Sequence, residues 1–145
     1  MADKFDSFSD LLRAALGDKL ASADGMLDLF ADDVVFEFPY APEGLPKRLE
    51  GRAALAAHLA RIGPLLSFGT MELDNAHAAG ETVVVEFSCT GQGSATGVPY
   101  NQTYVSVVTL RDGRIAHYRD YWNPLVVLAA LGGTEAAAAA FAGAA

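Results

Sequence analysis

The chain has 145 residues, one domain's worth of polypeptide and enough to enclose a single core with a pocket. Hydrophobic residues make up 52% of it and charged residues 19%, which excludes a disordered chain. The formal net charge of −8 would repel a polyanion, so neither nucleic acid nor an anionic membrane surface is an expected partner.

The N-terminal stretch "MADKFDSFSD" is acidic and lacks the basic-then-apolar order of a signal peptide. Asp10 is placed to cap a helix through "LLRAALGDKLAS", and Asp24 a short one through "GMLDLF". The run "ADDVVFEFPY" reads as a strand that stops at Pro39, followed by a Pro- and Gly-rich loop, "APEGLPKRLEG". A second long helix is expected over "RAALAAHLARIGPLL", ending near Gly63-Pro64. From Ser67 onward the pattern turns to strands: "MELDNAHA", "TVVVEFSCT", "YNQTYVSVVTL" and "RIAHYRDYW". Pro124 breaks the last of these, and "LVVLAAL" begins a short helix. Residues 1–132 are expected to form the domain, with the Ala-rich stretch 133–145 as a frayed tail.

Helices, one strand, a helix and then a meander of long strands make an α+β layout, not a series of βαβ units. A long curved antiparallel sheet wrapped around helices forms an open cone, whose interior suits a small apolar ligand. The single cysteine, Cys89, allows no disulfide framework and no multi-cysteine metal site, which suits a cytoplasmic protein. The longest apolar run, Leu125 to Leu131, is too short to span a bilayer.

Asp112-Gly113 is a two-residue hairpin signal, because a type I′ turn needs positive φ at both positions. Period-2 alternation then puts Ala116, Tyr118, Asp120 and Trp122 on one face, with Thr109, Val107, Val105 and Thr103 opposite them. This face is expected to line the cone. His117, Arg119, Tyr121, Tyr104 and Gln102 are expected on the other face, whose arginine and aromatic content suits a homodimer interface through the sheet. A bulge would swap part of this register.

Asp120 is the leading candidate for chemistry. A carboxyl among Tyr118, Trp122, Val105 and Val107 is desolvated, which raises its pKa toward the range useful for acid–base work. The bland alternative is a carboxylate neutralised by an arginine. His58 is second: it lies three residues after Leu55 and four before Ile62, on the apolar stripe of its helix. A buried neutral histidine bonded to a carbonyl is the competing reading. Tyr40, Phe36, Phe38, Tyr100 and Tyr104 are aromatics that pack the core or form walls for a planar ligand. His58, His77 and His117 are scattered on different elements, so no metal is expected. "GQGSATG" joins two strands and is followed by no GK[ST], so it reads as a flexible loop at the pocket rim.

The segments "LFADDVVFEFP", "GRAALAAHL" and "YNQTYVSVVTLRDGRIAHYRDYWNPLVVLAALG" resemble the SnoaL-like group of the nuclear-transport-factor-2-like superfamily. That superfamily includes ketosteroid isomerases and polyketide cyclases, and the phenazine-biosynthesis A/B branch is the most similar in its aromatic–Asn–Pro ending. The resemblance implies a cystatin-like cone fold and a homodimer. It places Asp120 at the acid/base position of the phenazine and cyclase branches, and His58 at the pocket histidine of the former. Two positions depart from the pattern. Ile62 replaces the serine one turn after the histidine, and Phe38 replaces the ketosteroid isomerase base.

Together these readings predict a small cofactor-independent enzyme that takes an apolar or aromatic-ring metabolite and transfers a proton, as an isomerase, cyclase or condensing enzyme. Asp120 would move the proton, and His58 would hydrogen-bond a ligand carbonyl or carboxylate. Tyr40, Tyr118, Trp122, Phe36 and Val105 would shape the pocket. The alternative is a non-catalytic ligand-binding or dimerisation module on the same scaffold.

Overall fold

The computed structural model describes residues 3–142. Seven strands form one sheet in the order β1-β4-β5-β6-β7-β2-β3. In chain order the elements are β1 (Asp3–Phe5), α1 (Phe8–Leu16), β2 (Phe30–Glu37), β3 (Arg48–Glu50), α2 (Arg52–Ile62), β4 (Leu66–Ala79), β5 (Thr82–Gly93), β6 (Gln102–Arg111), β7 (Arg114–Trp122), α3 (Pro124–Leu131) and α4 (Thr134–Ala140). The α+β layout is as expected: the sheet is open, with β1 and β3 at its two edges. Every pairing is antiparallel except β2 with β7, which is parallel. The long crossover between β2 and β7 allows this, since no hairpin constrains their direction.

The starts of α1 and α3 follow side-chain cap chemistry, with one difference from expectation. Ser7, not Asp10, caps α1: its hydroxyl accepts the Asp10 backbone N–H at 3.1 Å. Asp10 sits in the first turn, where its charge favours the positive end of the helix dipole. The helix also stops at Leu16, because Gly17 adopts φ 56°. The second expected helix is a single 3₁₀ turn, Leu27–Leu29. At α3, Asn123 accepts the Leu125 N–H and Pro124 opens the first turn, as its fixed φ allows.

The turn between β6 and β7 has Asp112 at φ 54° and Gly113 at φ 77°, the geometry of a type I′ hairpin. A single bulge then shifts the register of the rest of the hairpin. Leu110 pairs with Ile115, but Thr109 pairs with His117, so Ala116 is the extra residue. Beyond it Val108 faces Tyr118, Ser106 faces Asp120, and Tyr104 faces Trp122. The inner face of β6 is therefore Gln102, Tyr104, Ser106, Val108 and Leu110, all buried. Val105, Val107 and Thr103 point outward, contrary to the simple alternation, and Tyr104 and Gln102 point inward.

The Ala-rich end also differs from expectation. Residues 134–140 form α4, Ala137 is fully buried, and Phe141 is 8% exposed. Helix α4 rests on the loop before β3: a Cβ on Gly44 would come within 2.8 Å of the Ala138 Cβ. Arg61 of α2 donates to the Ala140 carbonyl at 3.2 Å. Alanine has the highest helix propensity, so little docking energy is needed to order such a segment. Residues 143–145 of that stretch lie outside the described residues.

The "GQGSATG" loop is tied to α3 and does not line the cavity on the concave side of the sheet. Thr96 Oγ1 donates to the Ala130 carbonyl at 2.7 Å. At Gly93 a Cβ would lie 2.0 Å from that same carbonyl oxygen. Gly93→Ala is therefore expected to cost about 1–3 kcal/mol, the usual range for overpacking. Urea denaturation reads this directly, and an unchanged midpoint would show that α3 shifts freely.

Candidate active site

The concave side of the sheet, helices α1 to α3 and Phe141 at the end of α4 enclose a cavity of about 510 Å³. That falls within the usual range of small-molecule sites, roughly 300–1,000 Å³. Its walls are mainly Leu, Ile, Met and Phe side chains, with Trp122 on one side and Phe141 on another.

Asp120 enters this cavity from β7. The bulge is what brings Ser106 of β6 onto the same face beside it. The Ser106 hydroxyl donates to Asp120 Oδ1 at 3.2 Å, and the Tyr118 hydroxyl donates to Ser106 Oγ at 2.7 Å. Tyr118 and Ser106 are fully buried. Asp120 keeps some accessible surface, but that surface faces the cavity. Burial accordingly pushes its pKa up to about 7, and the Ser106 hydrogen bond opposes the rise. The arginine pairing weighed as an alternative is not formed: Asp120 has no salt bridge within 4 Å among the described residues.

His58 projects from α2 into the same cavity. Its ring lies 5.0 Å from Phe38 and stacks on Phe141 at 5.9 Å, with an 18° interplanar angle. Burial lowers its pKa to about 4, with a smaller contribution from the Arg61 charge. The imidazole is thus neutral at pH 7.

The other expected pocket residues divide. Phe36 and Trp122 line the cavity. Tyr118 sits behind it, stacked on Phe36 at 4.3 Å and 6°, and reaches the site only through Ser106. Tyr40 and Val105 lie outside. Tyr40 is 60% exposed and meets Tyr121 edge-on at 5.3 Å, while Val105 is 37% exposed on the outer face. The bulge accounts for Val105, and Tyr40 lies past the end of β2, beyond the concave surface.

Ser106 and the roles of Tyr100 and Tyr104 were not legible from alternation alone. Tyr100 and Tyr104 line the cavity and share a 2.8 Å hydroxyl–hydroxyl hydrogen bond. The Cys89 thiol donates to the Tyr104 hydroxyl at 3.7 Å. Burial raises both phenolic pKa values, so both stay protonated. The signal was there in their spacing, four apart and hence on one face of an extended segment.

Among the described residues no group of three or more His, Cys, Asp or Glu side chains could hold a metal ion. Among the described residues no helix is long and apolar enough to cross a membrane.

The SnoaL-like domain family matches residues 13–118. The chain belongs to the SnoaL-like family. The match takes in the end of α1, all of α2, five whole strands and part of β7, but stops two residues before Asp120. A relative in Pseudomonas aeruginosa, the uncharacterized PhzA/B-like protein PA3332, is 42% identical over 117 residues, 80% of this chain and 83% of that protein. The uncharacterized protein YesE of Bacillus subtilis is 46% identical over 109 residues, 74% of each chain. A solved Bacillus subtilis structure named "Putative Isomerase" superposes with a TM-score of 0.74 at 42% identity, covering 86% of this chain and 92% of that one. This SnoaL-like chain thus has the superfamily fold and the PhzA/B-like branch read from its last hairpin.

Proposed function

We propose that this SnoaL-like protein is an acid–base enzyme acting on an apolar or aromatic-ring metabolite held in the cavity. The reaction is a proton transfer of the isomerase, cyclase or condensation type. The carrying observation is Asp120, a carboxyl with a pKa of about 7 opening into an apolar cavity. Such a group both accepts and releases a proton near neutral pH. Ser106, itself fixed by the Tyr118 hydroxyl, holds its Oδ1, leaving Oδ2 to the ligand. Neutral His58 hydrogen-bonds the ligand at the other wall. The isomerase name of one solved relative supports the same class.

Incubation with an enolisable ring ketone in D₂O tests this. Deuterium entry at the α-carbon should rise as pH passes through 7, following the ionisation of Asp120. Exchange that is flat across this range, or no faster than buffer, would remove the acid–base role. The second reading, a non-catalytic binding module, draws on the scarcity of polar groups in the cavity wall. It predicts ligand binding with no exchange.

Homodimer formation through the outer sheet face and a cytoplasmic location belong to the same proposal. The outer face carries Tyr40, Val105 and Tyr121 around a shallow depression, a composition suited to an interface. Light scattering at micromolar concentration should give a dimer mass, and Val105→Arg should give a monomer. A monomeric wild type would refute the dimer.

A further inference from the structure

The described cavity lining contains two carboxylates, Asp6 and Asp120, and no lysine or arginine. His58 is held neutral by burial, so it supplies no positive charge. An anion moved into this space loses its water and finds no cation in exchange, which costs several kcal/mol. The cavity is therefore ill suited to carboxylic acids, phosphates and sulfates.

It does offer a hydrogen-bond donor. Each phenol carries one O–H proton. In the Tyr100–Tyr104 pair one proton is spent between the two oxygens. Tyr104 also accepts from Cys89. Whichever ring donates within the pair, one phenolic proton is left over. Both rings line the cavity, and Asp120 is close enough to act on both electrostatically. A single carbonyl or hydroxyl oxygen placed there accepts the leftover proton without bringing a charge.

We propose that the cavity selects uncharged ring compounds bearing a ketone or phenolic oxygen, anchored by the Tyr100–Tyr104 hydroxyl pair, and rejects carboxylate analogues of the same size. This rests on the ligand-cavity reading of the proposed function and narrows it: the ligand group facing these tyrosines is a carbonyl or hydroxyl, not a carboxylate.

Trp122, the chain's one tryptophan, lines the cavity and reports occupancy by its fluorescence. The probes are naphthalene, a naphthol, a naphthyl methyl ketone and a naphthoate, titrated at pH 8. The ketone and the naphthol should bind at least about tenfold more tightly than the naphthoate, a difference of about 1.4 kcal/mol. They should also bind more tightly than naphthalene, and the double variant Tyr100→Phe/Tyr104→Phe, which removes both phenolic protons, should erase that second preference. The circular dichroism melt of the variant verifies its fold, and the charge comparison on the wild type needs no variant. Equal or tighter binding of the naphthoate overturns the selectivity while leaving a ligand cavity in place. A double variant that keeps the preference for oxygen overturns the anchor. Failure of every probe to bind overturns this proposal together with the cavity reading.

Discussion

Asp120→Asn is expected to abolish proton transfer and, at the same time, to raise the melting temperature at pH 8. The catalytic loss should be about 10²–10⁴-fold, the usual contribution of a positioned acid or base. The stability gain follows from the raised pKa. In the folded protein Asp120 keeps its proton up to about pH 7, against an ordinary value of 3.8. Below pH 3.8 the carboxyl is protonated in both states, and the stability linked to it is fully present. As pH rises from about 4 to 7 the unfolded chain ionises first, so that stability is lost, and above pH 7 the loss is complete. The span corresponds to a few kcal/mol at about 1.4 kcal/mol per pH unit. Asparagine removes the charge and keeps an oxygen for the Ser106 hydroxyl, but its amide protons need acceptors, which offsets part of the gain. A net rise of about 1–2 kcal/mol, or several degrees in Tm, is expected at pH 8 and none at pH 4. Calorimetry at the two pH values checks it. A variant equally destabilised at both would mean that Asp120 is ionised and well solvated, which would also undercut its acid–base role.

Phe141→Ala should be the most damaging single change at the C-terminal end. Phe141 is buried, closes one wall of the cavity and stacks on His58. Truncating a buried phenylalanine costs about 3–5 kcal/mol; the lower end applies here, since one side of the ring already borders empty space. The same change admits water to His58. Its pKa should climb from about 4 toward 6.5. A depressed histidine pKa makes the folded state lose stability as pH falls from 6.5 to about 4, so the variant should show a weaker acid-side decline. Denaturant titration gives the first quantity and proton NMR of the imidazole the second. No change in either would show that α4 is not docked in solution.

These two residues stood differently in the sequence. Asp120 was legible because an acidic side chain sits on the same face as Tyr118 and Trp122, and a charge on such a face is costly unless used. His58 was legible because helical spacing places it on the Leu55–Ile62 stripe. Phe141 was not. It follows a run of alanines that carries no periodic apolar signal, and only the groove between α2 and the loop before β3 gives that segment somewhere to dock. Ser106 was hidden for a different reason. A hairpin with a two-residue turn implies one register, and a single bulge at Ala116 shifts every pair beyond it. That shift exchanged the two faces of β6, sending Val105 outward and bringing Tyr104 and Ser106 in.

Local sequence, which carried no strand signal for the short edge strands β1 and β3, determined the five longer strands, three of the helices, the type I′ turn and the placement of Asp120 and His58 in the cavity. These depend on properties read within a few residues: alternation, helical spacing, capping oxygens and the positive φ that Asp112-Gly113 accepts. Tertiary structure alone decided the bulge, the hydroxyl chain from Tyr118 through Ser106 to Asp120, the Tyr100–Tyr104 pair and the docking of α4. Each depends on contacts between segments far apart in the chain, whose free energy comes from burial and from pairing polar groups away from water. No short window of sequence carries that information.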